Sequence, residues 1–317
     1  MKIKVGNGGG FGNRLYSWET MYEIAKINNA ELECDFSELE HLILPNTIYN
    51  KEFNYSGAPD YNSNILGKTL DNGYVTTDSN NMIDFKLNPN FNYYPICGFG
   101  FNRHFNTIHI NSGIYPKQQM KMKDSLLFDK IQDITTDCVG VHIRRGEAGH
   151  GKHDIFDPNR QGVAYYPVGT IPDFWYLSLM NQIKEIYPNI KFYISSNAKK
   201  EDLQVFYDNF NIITYRDILS TESEHNHMES VEEYQRCVNL KKSIDTDLSG
   251  IVDFYSLSCS NLLICSISTW SMCAYEMNNI PTIWPEARDQ KLNSIYRFRN
   301  SIIRKQINIE NIFKKQC

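Results

Sequence analysis

The feature that most constrains this chain is a short apolar run, Cys138-Val139-Gly140-Val141, that continues through His142-Ile143 into Arg144-Arg145-Gly146-Glu147. An apolar run of this kind, closed by a glycine, suits a parallel strand covered on both faces. Side chains alternate across a strand, so His142 and Arg144 are expected on one side and Ile143 and Arg145 on the other. In open parallel sheets ligands bind beyond the carboxyl ends of the strands, where this arginine pair would lie. A guanidinium is permanently charged and can donate two parallel hydrogen bonds to one oxyanion, which points to anion handling. The plain alternative is an arginine pair making surface salt bridges.

The rest of the chain alternates in the way such a sheet requires. A strand at Ile3-Lys4-Val5, a glycine loop Gly6-Asn7-Gly8-Gly9-Gly10-Phe11-Gly12, a helix from about 13 to 29 and a strand Glu31-Leu32-Glu33-Cys34 open a βαβ unit. Leu15, Trp18, Met21, Tyr22, Ile24 and Ala25 recur at spacings near three and four, as on a buried helix face. Residues 36–93 are rich in Asn, Asp, Tyr and Gly and carry no clear period. A glycine-punctuated strand or turn at 96–101 and a helix over 120–134 follow. Beyond 138 the pattern predicts strands at 138–144, 191–195, 211–214, 261–265 and 282–284, with helices at 172–186, 198–209, 231–238, 251–258 and 269–277. Leu292, Ile295, Phe298, Ile302 and Ile303 mark a terminal amphipathic helix. The expected organisation is an N-terminal domain over 1–134, a doubly wound domain over 135–288, and a helix over 289–317 that packs back on the first domain.

With 317 residues each domain is large enough for its own core, and a net charge of -5 argues against nucleic acid or an anionic membrane as main partner. Any phosphate binding is therefore local. The basic residues Arg297, Arg299, Arg304, Lys305, Lys314 and Lys315 form either a solvated helix face or a weak membrane-surface contact. Eight cysteines include no CxxC pair and several sit in apolar runs, which suits reduced structural thiols. The start Met1-Lys2-Ile3-Lys4-Val5 reads directly as a strand, without the pattern of a signal peptide, and no apolar run reaches the length of a membrane span. A soluble, cytoplasmic protein is expected.

Several segments are candidates for chemistry. The glycine loop invites a dinucleotide-binding reading, with Glu31 and Glu33 downstream where a ribose-binding acid would sit. Its spacing fails: a GxGxxG counted from Gly6 ends on Phe11, and one counted from Gly8 ends on Asn13. A loop that lets a ligand approach the helix start, or a tight strand-to-helix turn, remains. Ser266-Ile267-Ser268-Thr269-Trp270-Ser271 follows an apolar strand and opens a helix, so Ser268, Thr269 and Ser271 either help cradle phosphate or simply cap the helix. Ser195-Ser196-Asn197 closes another strand, as ligand contact or as a cap. Asp253 lies on a helix whose polar face either reaches the same cleft or is solvated. Asp245-Thr246-Asp247 has the form of a metal-binding DxD but no strand before it, and His150, His153, Asp154 and Asp157 match no zinc pattern; no metal is expected.

Taken together, these segments resemble the fucosyltransferase superfamily that contains the alpha-1,2-, alpha-1,6- and protein O-fucosyltransferases, the alpha-1,2 group most of all. Gly9-Gly10-Phe11-Gly12-Asn13-Arg14-Leu15 is similar to that group's GGxGNQxF, and Cys97-Gly98-Phe99-Gly100-Phe101 to its GYxQ segment. His142-Ile143-Arg144-Arg145-Gly146-Glu147 is similar to its HxRRGD, and Asp253 through Ser258 with Ser266 through Ser271 to its DxxxMS and SxFSWW. Arg14 stands where the pattern has glutamine, Glu147 where it has aspartate, and Ser195-Ser196-Asn197 at an often acidic turn.

The resemblance implies a GT-B fold of two facing Rossmann-like domains and inverting transfer of fucose from GDP-fucose to a carbohydrate hydroxyl, with a glycan acceptor and no metal or other cofactor. Arg144 would neutralise the departing pyrophosphate, with Arg145 and His142 in support. Ser268, Thr269 and Ser271 would hold phosphates, and Gly10, Gly12 and Asn13, with Ser195 and Asp253, would complete the donor site. Glu147, Asp154 and Glu19 are the candidates for the base. Another GDP-sugar donor, or a silent sugar-nucleotide- or glycan-binding module, are the competing readings.

Overall fold

The computed structural model describes residues 2–5, 10–50, 74–76, 94–96, 115–144, 171, 173–198, 200–222, 247–266 and 268–284. The chain divides into two compact units, one formed by residues 1–124 with 236–248, the other by 125–235 with 249–317.

In the first unit, β1 (Lys2–Val5) leads through α1 (Phe11–Ile27) to β2 (Glu31–Cys34), and β3 (Leu42–Ile43) and β4 (Thr47–Tyr49) follow. Strands β1, β2 and β4 form a parallel sheet in that order, with Ile3 opposite Leu32 and Leu32 opposite Thr47. The first βαβ unit is thus the one the opening residues predict, with the helix starting two residues earlier. Leu15, Trp18, Met21 and Ala25 are buried. Arg14, Tyr16 and Glu19 are buried with them, so α1 is enclosed well beyond a single stripe. Within 36–93, where the sequence shows no period, β3, β4 and β5 (Tyr74–Thr76) are strands of two or three residues, too short to leave one. Strand β5 pairs in parallel with β6 (Tyr94–Ile96), and β3 pairs antiparallel with β7 (Lys121–Met122).

The second unit begins at α2 (Ser125–Thr135), which starts later than the 120–134 expected because Lys121–Met122 is strand β7. Then come β8 (Cys138–Ile143), α3 (Asp173–Ile186), β9 (Lys191–Ser196), α4 (Gln204–Asn209), β10 (Asn211–Ile213), α5 (Tyr215–Leu219), α6 (Leu248–Cys259), β11 (Leu262–Ile264), α7 (Thr269–Asn278) and β12 (Thr282–Ile283). The helix expected from 198 starts later, after a 3-10 turn at Glu201–Leu203. All four pairings in the five-stranded sheet are parallel, and the strand order is β10-β9-β8-β11-β12. Every residue of β8 and β11 is buried, as a central parallel strand demands.

Helices cover both faces of this sheet. Val139, Val141, Ile143, Phe192, Ile194, Leu262 and Ile264 form a core with Tyr176, Met180 and Ile183 of α3 and Phe206 of α4. The opposite face meets α6, whose residues from Ser249 to Ser258 are all buried. Gly140 is needed there: a Cβ at this position would lie 2.4 Å from Oγ of Ser260 and 3.2 Å from Cδ2 of Leu257. Any side chain would collide with the Ser260 hydroxyl, which donates to the Leu257 carbonyl at 2.6 Å. Among the described residues no helix is long and apolar enough to cross a membrane. The helices expected over 231–238 and 289–317 lie outside the described residues.

Candidate functional site at the sheet switch point

The strand order counts outward from β8 in both directions. Chain order runs β8, β9, β10 to one side and then jumps back to β11 and β12 on the other. The connections leaving β8 and β11 therefore depart to opposite faces, and a crevice opens between the carboxyl ends of these two neighbours. His142 and Arg144 sit at the end of β8, and the serine-rich turn 265–268 follows β11.

Strand register decides which side chains share a face. His142 is paired with Ser195, Gly140 with Tyr193 and Leu263, so these residues lie on the face covered by α6 and α7. The expected alternation holds: Ile143 belongs to the apolar core on the other face, while the His142 ring reaches Ser271 on α7 with Nδ1 2.6 Å from Oγ. The His142 carbonyl accepts from the hydroxyl of Tyr176 at 3.1 Å, which ties the end of β8 to α3. Burial first, and the Arg144 charge second, push the His142 imidazole down to about 3. It is therefore neutral near pH 7, and Arg144, half-buried beside it, carries the positive charge of this pair.

The start of α7 is built as the hydroxyl pattern predicts. Ser268 is the N-cap, with extended backbone, and its Oγ accepts from the amide of Trp270 at 3.2 Å. Thr269, half-buried, is the first helical residue, and the positive end of the helix dipole lies at this turn, which Ser271 joins to His142 of β8. Ser271 differs from its two neighbours. It is fully buried, and its Oγ accepts from the amide of Ser266 at 3.2 Å as well as meeting His142. Its hydroxyl is committed inside the protein and is not placed for the direct phosphate contact that the sequence leads one to expect of it. The Trp270 ring lies 6.5 Å from that of His142 and makes an edge contact with Phe254 at 5.5 Å.

Two further expected residues lie deeper. Asp253 on α6 is 2% exposed and accepts a hydrogen bond from the Tyr193 hydroxyl on β9 at 2.5 Å. It is neither solvated nor open to a ligand in this arrangement. Burial, then the Asp253 charge, push the Tyr193 phenol well up, so it remains a donor. Ser195 is buried on the same face as His142. Its neighbour Ser196 points to the other face and caps a turn, accepting from the amide of Ala198 at 3.0 Å. Arg145, Glu147 and Asp154 lie outside the described residues, as do His150, His153, Asp157, Asp245 and Thr246. Among the described residues no group of three or more His, Cys, Asp or Glu side chains is placed to hold a metal.

Gly10 and Gly12 belong to the first unit, where Gly10 directly precedes α1 and its carbonyl accepts from the amide of Arg14 at 3.1 Å. Asn13 follows in the first turn of α1. Arg14, which stands where the resembled motif has glutamine, is fully buried and ion-paired with Glu38, with its guanidinium 5.6 Å from the centre of the Phe36 ring. Glu19, a candidate base in the sequence, is paired with buried Lys117 through both the ammonium and the backbone amide. The ammonium also lies over the Tyr16 and Tyr115 rings, at 4.2 and 5.3 Å. A carboxylate held in this way is not placed to accept a substrate proton. The sequence reading missed both pairs, because their partners lie 24 and 98 residues apart.

No family model matches this chain, and no curated protein does. Among solved structures, the chain is similar to fucosyltransferase NodZ from Bradyrhizobium, with 10% identity, coverage of 90% of this chain and 96% of that one, and a TM-score of 0.48. It is also similar to POFUT1 in complex with GDP, at 10% identity, 89% and 97% coverage and a TM-score of 0.47. A third similarity is to a mutant of Arabidopsis thaliana FUT1 in complex with GDP, at 12% identity, 92% and 71% coverage and a TM-score of 0.46.

Proposed function

We propose that this chain is a GT-B glycosyltransferase that moves fucose from GDP-fucose to a carbohydrate hydroxyl with inversion, without a metal, in the alpha-1,2 manner. The observation that carries the reading is the placement of the His142-Ile143-Arg144 segment. It ends the strand at the topological switch of a five-stranded parallel sheet, and His142 is hydrogen-bonded to the first turn of α7. A diphosphate at this crevice would meet the guanidinium of Arg144 from the strand side and the start of α7, with Ser268 and Thr269, from the helix side.

In the proposed reaction the acceptor oxygen attacks the anomeric carbon from the face opposite GDP. The bond from that carbon to the pyrophosphate oxygen breaks, and its electron pair leaves with GDP. Negative charge grows on that oxygen as the sugar becomes oxocarbenium-like, so a fixed cation beside it stabilises the transition state more than the bound donor. Arg144 takes this role and Arg145 supports it. The acceptor proton passes to a carboxylate, for which Glu147 and Asp154 are the assigned candidates. Ser195 lines the donor site. Gly10, Gly12 and Asn13, at the start of α1, keep the donor-binding role that the sequence resemblance implies, and Asp253 acts from beneath Ser195, as the partner of Tyr193.

Assaying GDP release from GDP-fucose in the presence of a panel of sugars tests the reading. Turnover with at least one acceptor, abolished in Arg144→Ala, is expected. Turnover that survives Arg144→Ala sinks the mechanism, and thermal stabilisation by GDP-mannose but not by GDP-fucose sinks the choice of donor.

A further inference from the structure

The hydrogen bond between Ser271 and His142 bears on a question that the strand motif leaves open, namely which nitrogen of the imidazole carries its proton. The oxygen of Ser271 already accepts from the Ser266 amide. Nδ1 lies 2.6 Å from it, within hydrogen-bond distance, and the hydroxyl still has its own proton to place. The other group at this hydroxyl is the thiol of Cys265, kept protonated by burial and a weak acceptor. An imidazole nitrogen is the better acceptor of the two. Nε2 has no hydrogen-bond partner among the described residues.

We propose that Ser271 is a positioning residue whose hydroxyl donates to Nδ1 of His142, fixing the proton on Nε2 and presenting that N–H at the switch point as a neutral donor to the diphosphate. The tautomer stands on the geometry alone; its use on the diphosphate rests on the transferase reading above. A ring nitrogen's protonation follows from the bond its partner nitrogen makes, and here that bond comes from α7. The depressed basicity of the ring agrees, since a neutral imidazole leaves the positive charge on Arg144. The device divides labour at one anion. Arg144 supplies charge, His142 supplies direction, and Ser271, 129 residues further along the chain, couples the strand to the helix start.

The test uses the full chain labelled with 15N-histidine and free of ligand, with His142→Gln identifying the His142 resonances among those of the eight histidines. Nitrogen shifts of the Nε2-protonated form, unchanged from pH 6 to 8, are expected. Ser271→Ala should replace them by a mixture of forms, and Ser271→Thr, which keeps the hydroxyl, should preserve them. A parent spectrum with the proton on Nδ1 overturns the proposal, as does a Ser271→Ala spectrum identical to the parent's. If Ser271→Ala does not fold, the parent and Ser271→Thr spectra still decide. In turnover of GDP-fucose, Ser271→Ala should lose about tenfold in kcat, the worth of one hydrogen bond, and Ser271→Thr should recover it. A changed tautomer with unchanged kcat overturns the positioning role. A fixed tautomer in a chain that turns over no GDP-fucose supports the hydrogen bond while removing the transferase reading.

Discussion

On one face of the five-stranded sheet Val139, Val141, Ile143, Phe192 and Ile194 meet Tyr176, Met180, Ile183 and Phe206; on the other, Tyr193 meets Asp253, and His142 meets Ser271. Both faces are buried, yet only one is a conventional core. The apolar face holds the sheet together by area removed from water, without direction. The polar face adds hydrogen bonds to the packing of α6, each of which fixes an angle as well as a distance. A binding site needs the second kind of order, and the switch point opens where that face ends. Ser195 and Ser196 show the same division within two residues. The first lies on the face with His142, while the second is used up in capping its own turn.

The sharpest way to break this comparison is to cut each face separately. Met180→Ala on the apolar face should cost about 2–5 kcal/mol in urea denaturation, with kcat intact in the folded fraction. A comparable loss of kcat would mean that this face is part of the site after all. Arg144→Ala should do the reverse, lowering kcat for GDP-fucose on the order of a hundredfold or more with little change in the denaturation midpoint.

Gly140→Ala probes the polar face as packing. It forces a methyl against Ser260 and Leu257 and should cost about 1–3 kcal/mol by thermal melting, because the buried Ser260 hydroxyl would have to leave its bond to the Leu257 carbonyl. Acid should act on the polar face and not on the other. The folded His142 has its basicity pushed down to about 3 from an ordinary value of 6.5, so the unfolded chain binds the extra proton between these values. Stability from this group is full above about 6.5 and falls as pH drops towards 3, at about 1.4 kcal/mol per pH unit at most. Replacing His142 by Gln should remove that slope from a stability profile measured by denaturant titration. The smallest effect is expected from Ser196→Ala, about 1 kcal/mol from one lost turn cap, read from the same denaturation curves and with kcat unchanged.

The elements of the second unit were largely legible in the sequence, because β8, β9 and β11 are short apolar runs and α3 carries Tyr176, Met180 and Ile183 on one side. Ser268 was legible as a cap from its position alone, and it is one. What the sequence did not show are the links between distant segments. Nothing in the neighbourhood of Ser271 distinguishes it from Ser268, and only the fold turns one inward to His142 while the other caps the helix. Tyr193 has the look of an ordinary strand aromatic until Asp253, 60 residues later, meets its hydroxyl. In the first unit the Asn- and Tyr-rich composition hid strands of two or three residues, which are defined by their partners rather than by any internal rhythm.

The two buried ion pairs of α1 have a mechanical consequence. Arg14 and Glu19 stand five residues apart, roughly 140° around the axis at ~100° per residue, and each is neutralised by a different segment, Glu38 on one flank and Lys117 on the other. Rolling the helix about its axis would strand a charge in the interior. The helix behaves as a keyed shaft, and the bearing of its glycine-bearing tip is dictated from the turns at 37–40 and 116–119, so an alteration in either turn would disturb the aim of Gly10 and Gly12 while leaving both in place.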